Sequence, residues 1–304
     1  MRVIRLIVLG IFAVVSCFLQ AQTKVKNSGN AETAKAAHND VQEIVLWNRN
    51  YDQAYMYAAI SNILKLSEDK YGPVKLVSSQ PLEQGRAFAN VANYSGLDIF
   101  VGGINRQREA DAQAIYIPID RGLLGFRLCL IHETDQNLTD IDSVEDLVNQ
   151  GVSIGLGSHW PDKEIFENSG FQTVPSPVYS SLFEMLANER FDCFTRSLSE
   201  IGFELDQKAE LPIKVESEIV FIYPAAEFAF VNRDNTLLQE RLRYGFEKAI
   251  EDGSYFSLFE EHHQDTMMRH SVYERKLLIL QNTDLSTQAV SSINQYGLAS
   301  FIIN

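Results

Sequence analysis

Two long apolar runs constrain this 304-residue chain more than anything else in it. The first runs from Ile115 to Ile131, seventeen residues against the usual five or six of a strand. The second runs from Glu218 to Asn232 and is broken at Pro224. One strand of that length does not stay in one sheet. A strand that leaves one sheet and enters another explains it, and Gly122 and Gly125 permit the bends. Between the runs lies an alternation of strand-like and helix-like segments. The pattern predicts an α/β chain of two lobes joined by two hinge crossings. Residues 42–130 and 223–275 form the first lobe, 131–222 the inserted second lobe, and 276–304 an extension packed on the first.

Within the first lobe, Ile44 to Trp47 reads as a strand. Tyr55, Ala58, Ala59, Ile63 and Leu66 recur at helical spacing. Val74 to Val77 reads as a strand, Gly85 to Ala92 as a helix, and Leu97 to Val101 as a buried strand ending at Gly102-Gly103. This order implies a parallel sheet with right-handed crossovers. In the second lobe, helices are expected over 142–148, 162–168 and 179–187, with strands near Ile154 and Phe191. Helices over 236–251 and 255–262 follow the second crossing.

The N-terminus reads as an export signal over residues 1–21. Arg2 and Arg5 precede the apolar stretch Leu6 to Leu19, which is short for a spanning helix. Val14-Val15-Ser16-Cys17 leaves lipidation at Cys17 open as an alternative to cleavage after Ala21. Residues 22–41 read as a polar tether. Removing residues 1–21 takes two of 26 basic groups and no acid, leaving 24 against 40 and a net charge of −16. That disfavours nucleic acid and anionic membrane as partners. Cys129 and Cys193 sit in apolar runs and read as small buried residues, with a bridge open as the alternative.

Two strand-to-helix turns supply candidate site residues. Ile154 to Gly157 ends in glycine, and Ser158-His159-Trp160-Pro161-Asp162 opens a helix whose free N–H groups favour an anion. Phe191 to Arg196 leads into Ser197-x-x-Glu200, a capping-box spacing. Arg108 follows the Gly102-Gly103 strand end, where open α/β sheets bind ligands. The expected ligand-binding set is Arg108, Arg196, Ser158, His159, Trp160 and Tyr51. Arg108 and Arg196 are expected to face each other across the cleft and favour an anion. Arg121 and Arg127 fall on one face of the first crossing if it stays extended. The stretch Glu260 to Asp265 carries two adjacent histidines that diverge on a helix and reads as a solvated helix end. No metal, cofactor or catalytic motif is expected.

The chain resembles bacterial periplasmic solute-binding proteins of family 3, which serve polar amino-acid ABC transporters. The likeness rests on Leu97 to Gly103 with Arg108-Glu109, on Ile117-Pro118-Ile119 with Gly122 to Arg127, and on the Gly155 to Trp160 and Phe191 to Ser197 turns. It spans roughly residues 42–275. It implies the type II two-lobe fold and a small polar solute gripped at Arg108. It also implies delivery to a membrane ABC permease by a periplasmic monomer without catalysis. In relatives of this type, a carboxylate that holds an ammonium group lies where Arg196 stands here. A ligand sensor and an acid–base enzyme with His159 as base are the alternatives.

Overall fold

Asp120 decides how the two long runs pass each other. In the computed structural model, which describes residues 41–135 and 141–299, neither run is a continuous strand. The first breaks after β4 and resumes at β5, with a 3-10 turn at Leu123–Gly125 between them. Arg121 and Gly122 both take positive φ there, 52° and 80°. The buried Asp120 carboxylate holds this turn by accepting the backbone N–H of Gly122 and Leu124. It also accepts the N–H of Glu227 from the second run, at 2.9 Å. One side chain therefore fastens both crossings. Gly125 lies against the second run so closely that a Cβ there would sit 2.1 Å from the Tyr223 carbonyl oxygen.

The first lobe contains β1 (Gln42–Leu46), α1 (Asn48–Asp52), α2 (Ala54–Leu66), α3 (Glu68–Tyr71), β2 (Val74–Ser78), α4 (Gln84–Ala92), β3 (Phe100–Gly103), α5 (Arg106–Asp111) and β4 (Gln113–Ile115). The second contains β5 (Phe126–His132), α6 (Val144–Asn149), β6 (Ser153–Gly157), α7 (Asp162–Asn168), β7 (Gln172–Ser176), α8 (Tyr179–Ala187), β8 (Cys193–Ser197), α9 (Ile201–Asp206), β9 (Ile213–Val215) and β10 (Ile219–Ile222). The chain returns through β11 (Glu227–Val231), α10 (Thr236–Glu251) and α11 (Ser254–Arg269). It ends in β12 (Lys276–Ile279) and α12 (Thr287–Tyr296). The expected leader, the tether to residue 40 and Cys17 lie outside the described residues.

β1 and β2 pair in parallel, and β3, β11 and β4 form an antiparallel set joined to β1 by a Leu46–Ile99 bridge. The second lobe's sheet runs β12-β10-β5-β8-β6-β7, with β9 on β5. The two crossings lie side by side and antiparallel in both lobes, Ala229 opposite Ile115 and Phe221 opposite Arg127. The extension differs from its expected place. β12 adds to the second lobe's sheet beside β10, because Leu278 finds a buried place on it. α12 packs Ala289 and Ile293 against the first lobe's Phe100 and Phe228. The chain thus passes between the lobes a third time.

Helix α2 buries Tyr55, Ala59 and Ile63 of the expected stripe, together with Met56, Ile60 and Leu64, against α10 and α11, while Ala58 and Leu66 stay half-buried. That apolar core continues through Leu123 and Leu128 into Leu182, Phe183 and Phe194 of the second lobe. α11 runs further than expected, and its end is not solvated throughout. His263 is buried edge-on to Tyr55, 4.4 Å between ring centres, because the helix turns it inward. Among the described residues no group could hold a metal, and no helix is long and apolar enough to cross a membrane.

Cys129 of β5 and Cys193 of β8 form a disulfide, with Cα atoms 5.2 Å apart. They are buried, as expected, but bridged, because β5 pairs with β8 and brings the two together. The bridge joins residues 64 apart in sequence. Replacing Cys193 by Ala, or reducing the bridge, should lower the unfolding free energy by about 2–5 kcal/mol in urea denaturation. Thiol titration of the denatured mature chain should find no reactive pair before reduction.

Candidate functional site

Arg108 does not itself line the cleft, but it bonds two residues that do, Gln84 and His159. Asn105 caps α5 by accepting the N–H of Arg108, which sets that side chain at the first turn. The guanidinium turns back under β3 and is only 6 % exposed. Nη1 donates to the Gly103 carbonyl at 2.7 Å. Nη2 donates to Gln84 Oε1 at 3.1 Å and to the His159 carbonyl of the second lobe at 3.0 Å. The rings of Phe88 and Phe100 lie 5.1 and 5.3 Å from its carbon. All three hydrogen-bond partners are neutral oxygens. Burial pulls its pKa down to about 10, opposed only by Asp162 from a greater distance.

The opposite wall is the turn from β6 into α7. The His159 ring packs on Gly85, where a Cβ would sit 2.7 Å from it. The Trp160 ring stacks on Phe194, with centres 6.1 Å apart and planes at 13°. Ser158 is held through its backbone, donating to Ser176 O at 2.9 Å. Together with Arg49, Glu83, Gln84 and Tyr179, these residues line a narrow cleft, open to solvent, with only about 10 Å³ of room. Arg49 bonds Glu83 at 2.8 Å and lies 4.3 Å from the Tyr179 ring, so it spans the cleft mouth. Glu83 also accepts the N–H of Tyr179.

Arg196 does not face Arg108 as an open grip. Its Nε donates to Glu204 Oε2 at 2.6 Å, and Nη2 bonds Glu204 and Glu200, the latter at 3.0 Å. The rings of Trp160, Tyr179 and Phe194 surround it. The physical reason is local. The turn after β8 carries Glu200 and Glu204 back over the strand end, and a buried arginine takes the carboxylates nearest to it. The Ser197-x-x-Glu200 capping box does not form either. Ser197 Oγ instead donates to the Leu123 carbonyl, and α9 starts at Ile201 without a side-chain cap.

Arg127 is likewise internal. It bonds Asp162 and donates Nε to the Tyr223 hydroxyl at 2.9 Å, with Glu200 3.5 Å from Nη1. Burial opposes the charge on Asp162, but Arg127 and Tyr223 hold its carboxyl below the ordinary range. Arg121 does not share a face with Arg127, because the crossing breaks between them. It donates to the Tyr296 carbonyl and lies over Phe256 and Phe259. Tyr51 packs edge-on to Tyr57, 4.9 Å between centres, and does not line the cleft. Two residues earlier on α1, Arg49 points about 200° away and does. The sequence reading missed Arg49, Glu83, Gln84, Tyr179, Glu200 and Glu204. Helical phase was the signal that would have found one of them, since the helix over 48–52 separates Arg49 from Tyr51.

Asp162→Asn removes the carboxylate that neutralises buried Arg127, so it should lower stability at neutral pH by about 3–5 kcal/mol. The folded-state pKa of Asp162 lies below the ordinary 3.8, so its contribution is present above that value and is lost as pH falls through the folded one. Urea denaturation across acid pH should show a steeper loss in the wild type than in Asp162→Asn.

No protein-family description and no curated protein matches this chain. Solved structures do. An ancestral arginine-binding protein bound to arginine matches at 15 % identity and TM-score 0.54, over 73 % of this chain and 97 % of that one. The arginine-, lysine-, histidine-binding protein ArtJ from Geobacillus stearothermophilus matches at 11 % and 0.54, over 76 % and 99 %. The ancestral amino acid-binding protein AncCDT-1, a precursor of cyclohexadienyl dehydratase, matches at 13 % and 0.53, over 73 % and 95 %. At these identities the likeness is one of fold: this chain has the two-lobe periplasmic-binding-protein fold of amino-acid-binding proteins.

Proposed function

We propose that this protein is exported to the periplasm by residues 1–21 and closes on a small polar solute that carries a carboxylate. Arg108 is the primary contact. One observation carries this. Arg108 is a buried cation whose hydrogen-bond partners are all neutral oxygens, whereas Arg127 and Arg196 have carboxylates. A solute carboxylate offers it a charged acceptor, and such hydrogen bonds are roughly twice as strong as neutral ones. The anion preference therefore rests on one arginine rather than on a facing pair. Trp160, Ser158, His159 and the Arg49–Glu83 pair frame the rest of the solute.

Occupancy and closure are coupled at the same residue. Arg108 belongs to the first lobe and bonds His159 of the second. Interactions made only when the lobes meet favour the closed state when the cleft is filled. Delivery of the solute to an ABC permease completes this proposal, and it rests on the resemblance of the chain to family 3 binding proteins. A sensor role would use the same closure with a different membrane partner. Binding without turnover is the proposed activity.

A thermal-shift screen of dicarboxylates, acidic amino acids, neutral amino acids and basic amino acids should raise the melting temperature for a carboxylate-bearing member. Arg108→Ala should weaken that binding by about 2–5 kcal/mol in calorimetry. Arg196→Ala should instead lower folding stability. Tight binding of a solute without a carboxylate, unaffected by Arg108→Ala, would refute the proposal. Recovery of a chemically altered solute after incubation would replace binding by catalysis.

A further inference from the structure

Glu227 is a buried carboxyl at the crossing with an unpartnered oxygen. It begins β11 and is 5 % exposed, and its Oε2 has no hydrogen-bond partner among the described residues. Its backbone is fixed on both sides. The N–H donates to Asp120, and the carbonyl accepts from Ile119 N at 2.8 Å. The side chain is therefore held where the two lobes meet.

The charges around it are already unbalanced. Asp120 of the first crossing, Glu200 of the turn into α9, Arg127 of β5 and Arg196 of β8 all act on its charge, and so does Tyr55 of α2. Arg127 is committed to Asp162 and Glu200, and Arg196 to Glu204 and Glu200. Two arginines thus meet four carboxylates before Glu227 is counted. Arg121, on the far side of Asp120, is engaged by Tyr296, Phe256 and Phe259. Only Arg127 and Arg196 favour a fifth negative charge here, against burial and two carboxylates. Burial first, then Asp120 and Glu200, push the Glu227 carboxyl well above the ordinary range.

We propose that Glu227 is a proton-binding site that links lobe closure to pH. The closed molecule holds it as the neutral acid. Glu200, Arg127 and Arg196 belong to the second lobe, so moving that lobe away lets water reach the carboxyl, which ionises and releases its proton to solvent. A carboxyl raised in the closed form stabilises that form fully below its ordinary value. The stabilisation is lost as pH rises through the raised value. Acid therefore favours closure. No assumption about the solute enters, so this proposal and the solute proposal fail separately.

The test is small-angle X-ray scattering of the mature, disulfide-bonded chain without solute, from about pH 5 to about pH 9. The radius of gyration should rise with pH in the wild type and stay small in Glu227→Gln. A wild type with no pH-dependent expansion overturns the proposal, and so does a Glu227→Gln protein that expands like the wild type. Should that variant not fold by circular dichroism, Glu200→Gln decides. It removes one negative neighbour, so the expansion should move to lower pH by on the order of one unit. An unmoved midpoint overturns the proposal.

Discussion

The Asp120 carboxylate is the fastening on which the two-lobe arrangement depends. It is fully buried and accepts backbone N–H groups from Gly122, Leu124 and Glu227. The first two shape the turn that takes the chain out of one sheet and into another. The third ties that turn to the returning chain. Burial raises its carboxyl to about 6, against the pull of the backbone donors. An anion here gives a bent backbone the acceptor that a sheet neighbour would otherwise supply. Without it, Gly122 and Leu124 would carry unsatisfied donors at a place where Gly125 already touches Tyr223.

From this crossing outward, charge is distributed unevenly. The second lobe keeps its arginines for its own carboxylates, Arg127 with Asp162 and Arg196 with Glu200 and Glu204. Buried pairs of this kind add little net stability, because desolvation offsets much of their attraction. What they do here is fix the rings of Trp160, Tyr179 and Phe194 around Arg196, and so the shape of one wall of the cleft. The first lobe leaves Arg108 with neutral partners only. The difference between a paired and an unpaired buried arginine is the chemical asymmetry of the site, within a chain whose formal net charge is −14.

The third passage between the lobes adds to this. β12 is hydrogen-bonded to β10 in the second lobe, and α12 is seated on the first. Between them Asp284 and Leu285 accept from Arg106, and beyond α12 the Arg121 carbonyl accepts from Leu298. Relative movement of the lobes therefore bends three chain segments rather than two. The apolar core that α2, α10 and α11 share with Leu182, Phe183 and Phe194 runs through the same region.

The sequence by itself determined the alternation of strand and helix, part of the stripe of α2 and the two crossings. These follow from local periodicity and from residues whose backbone preferences do not depend on distant partners. Tertiary structure decided what the sequence could not: that the first crossing breaks at Asp120, that Cys129 meets Cys193, and that β12 joins the second lobe's sheet. It also decided which of the two candidate arginines lacks a carboxylate partner. Arg108 and Arg196 look alike along the chain, each after a strand end. Only folding brings Glu204 and Glu200 onto Arg196 and only carbonyl oxygens onto Arg108, because a guanidinium's partner is set by which acceptor lies within about 3 Å in space, not by its neighbours in sequence.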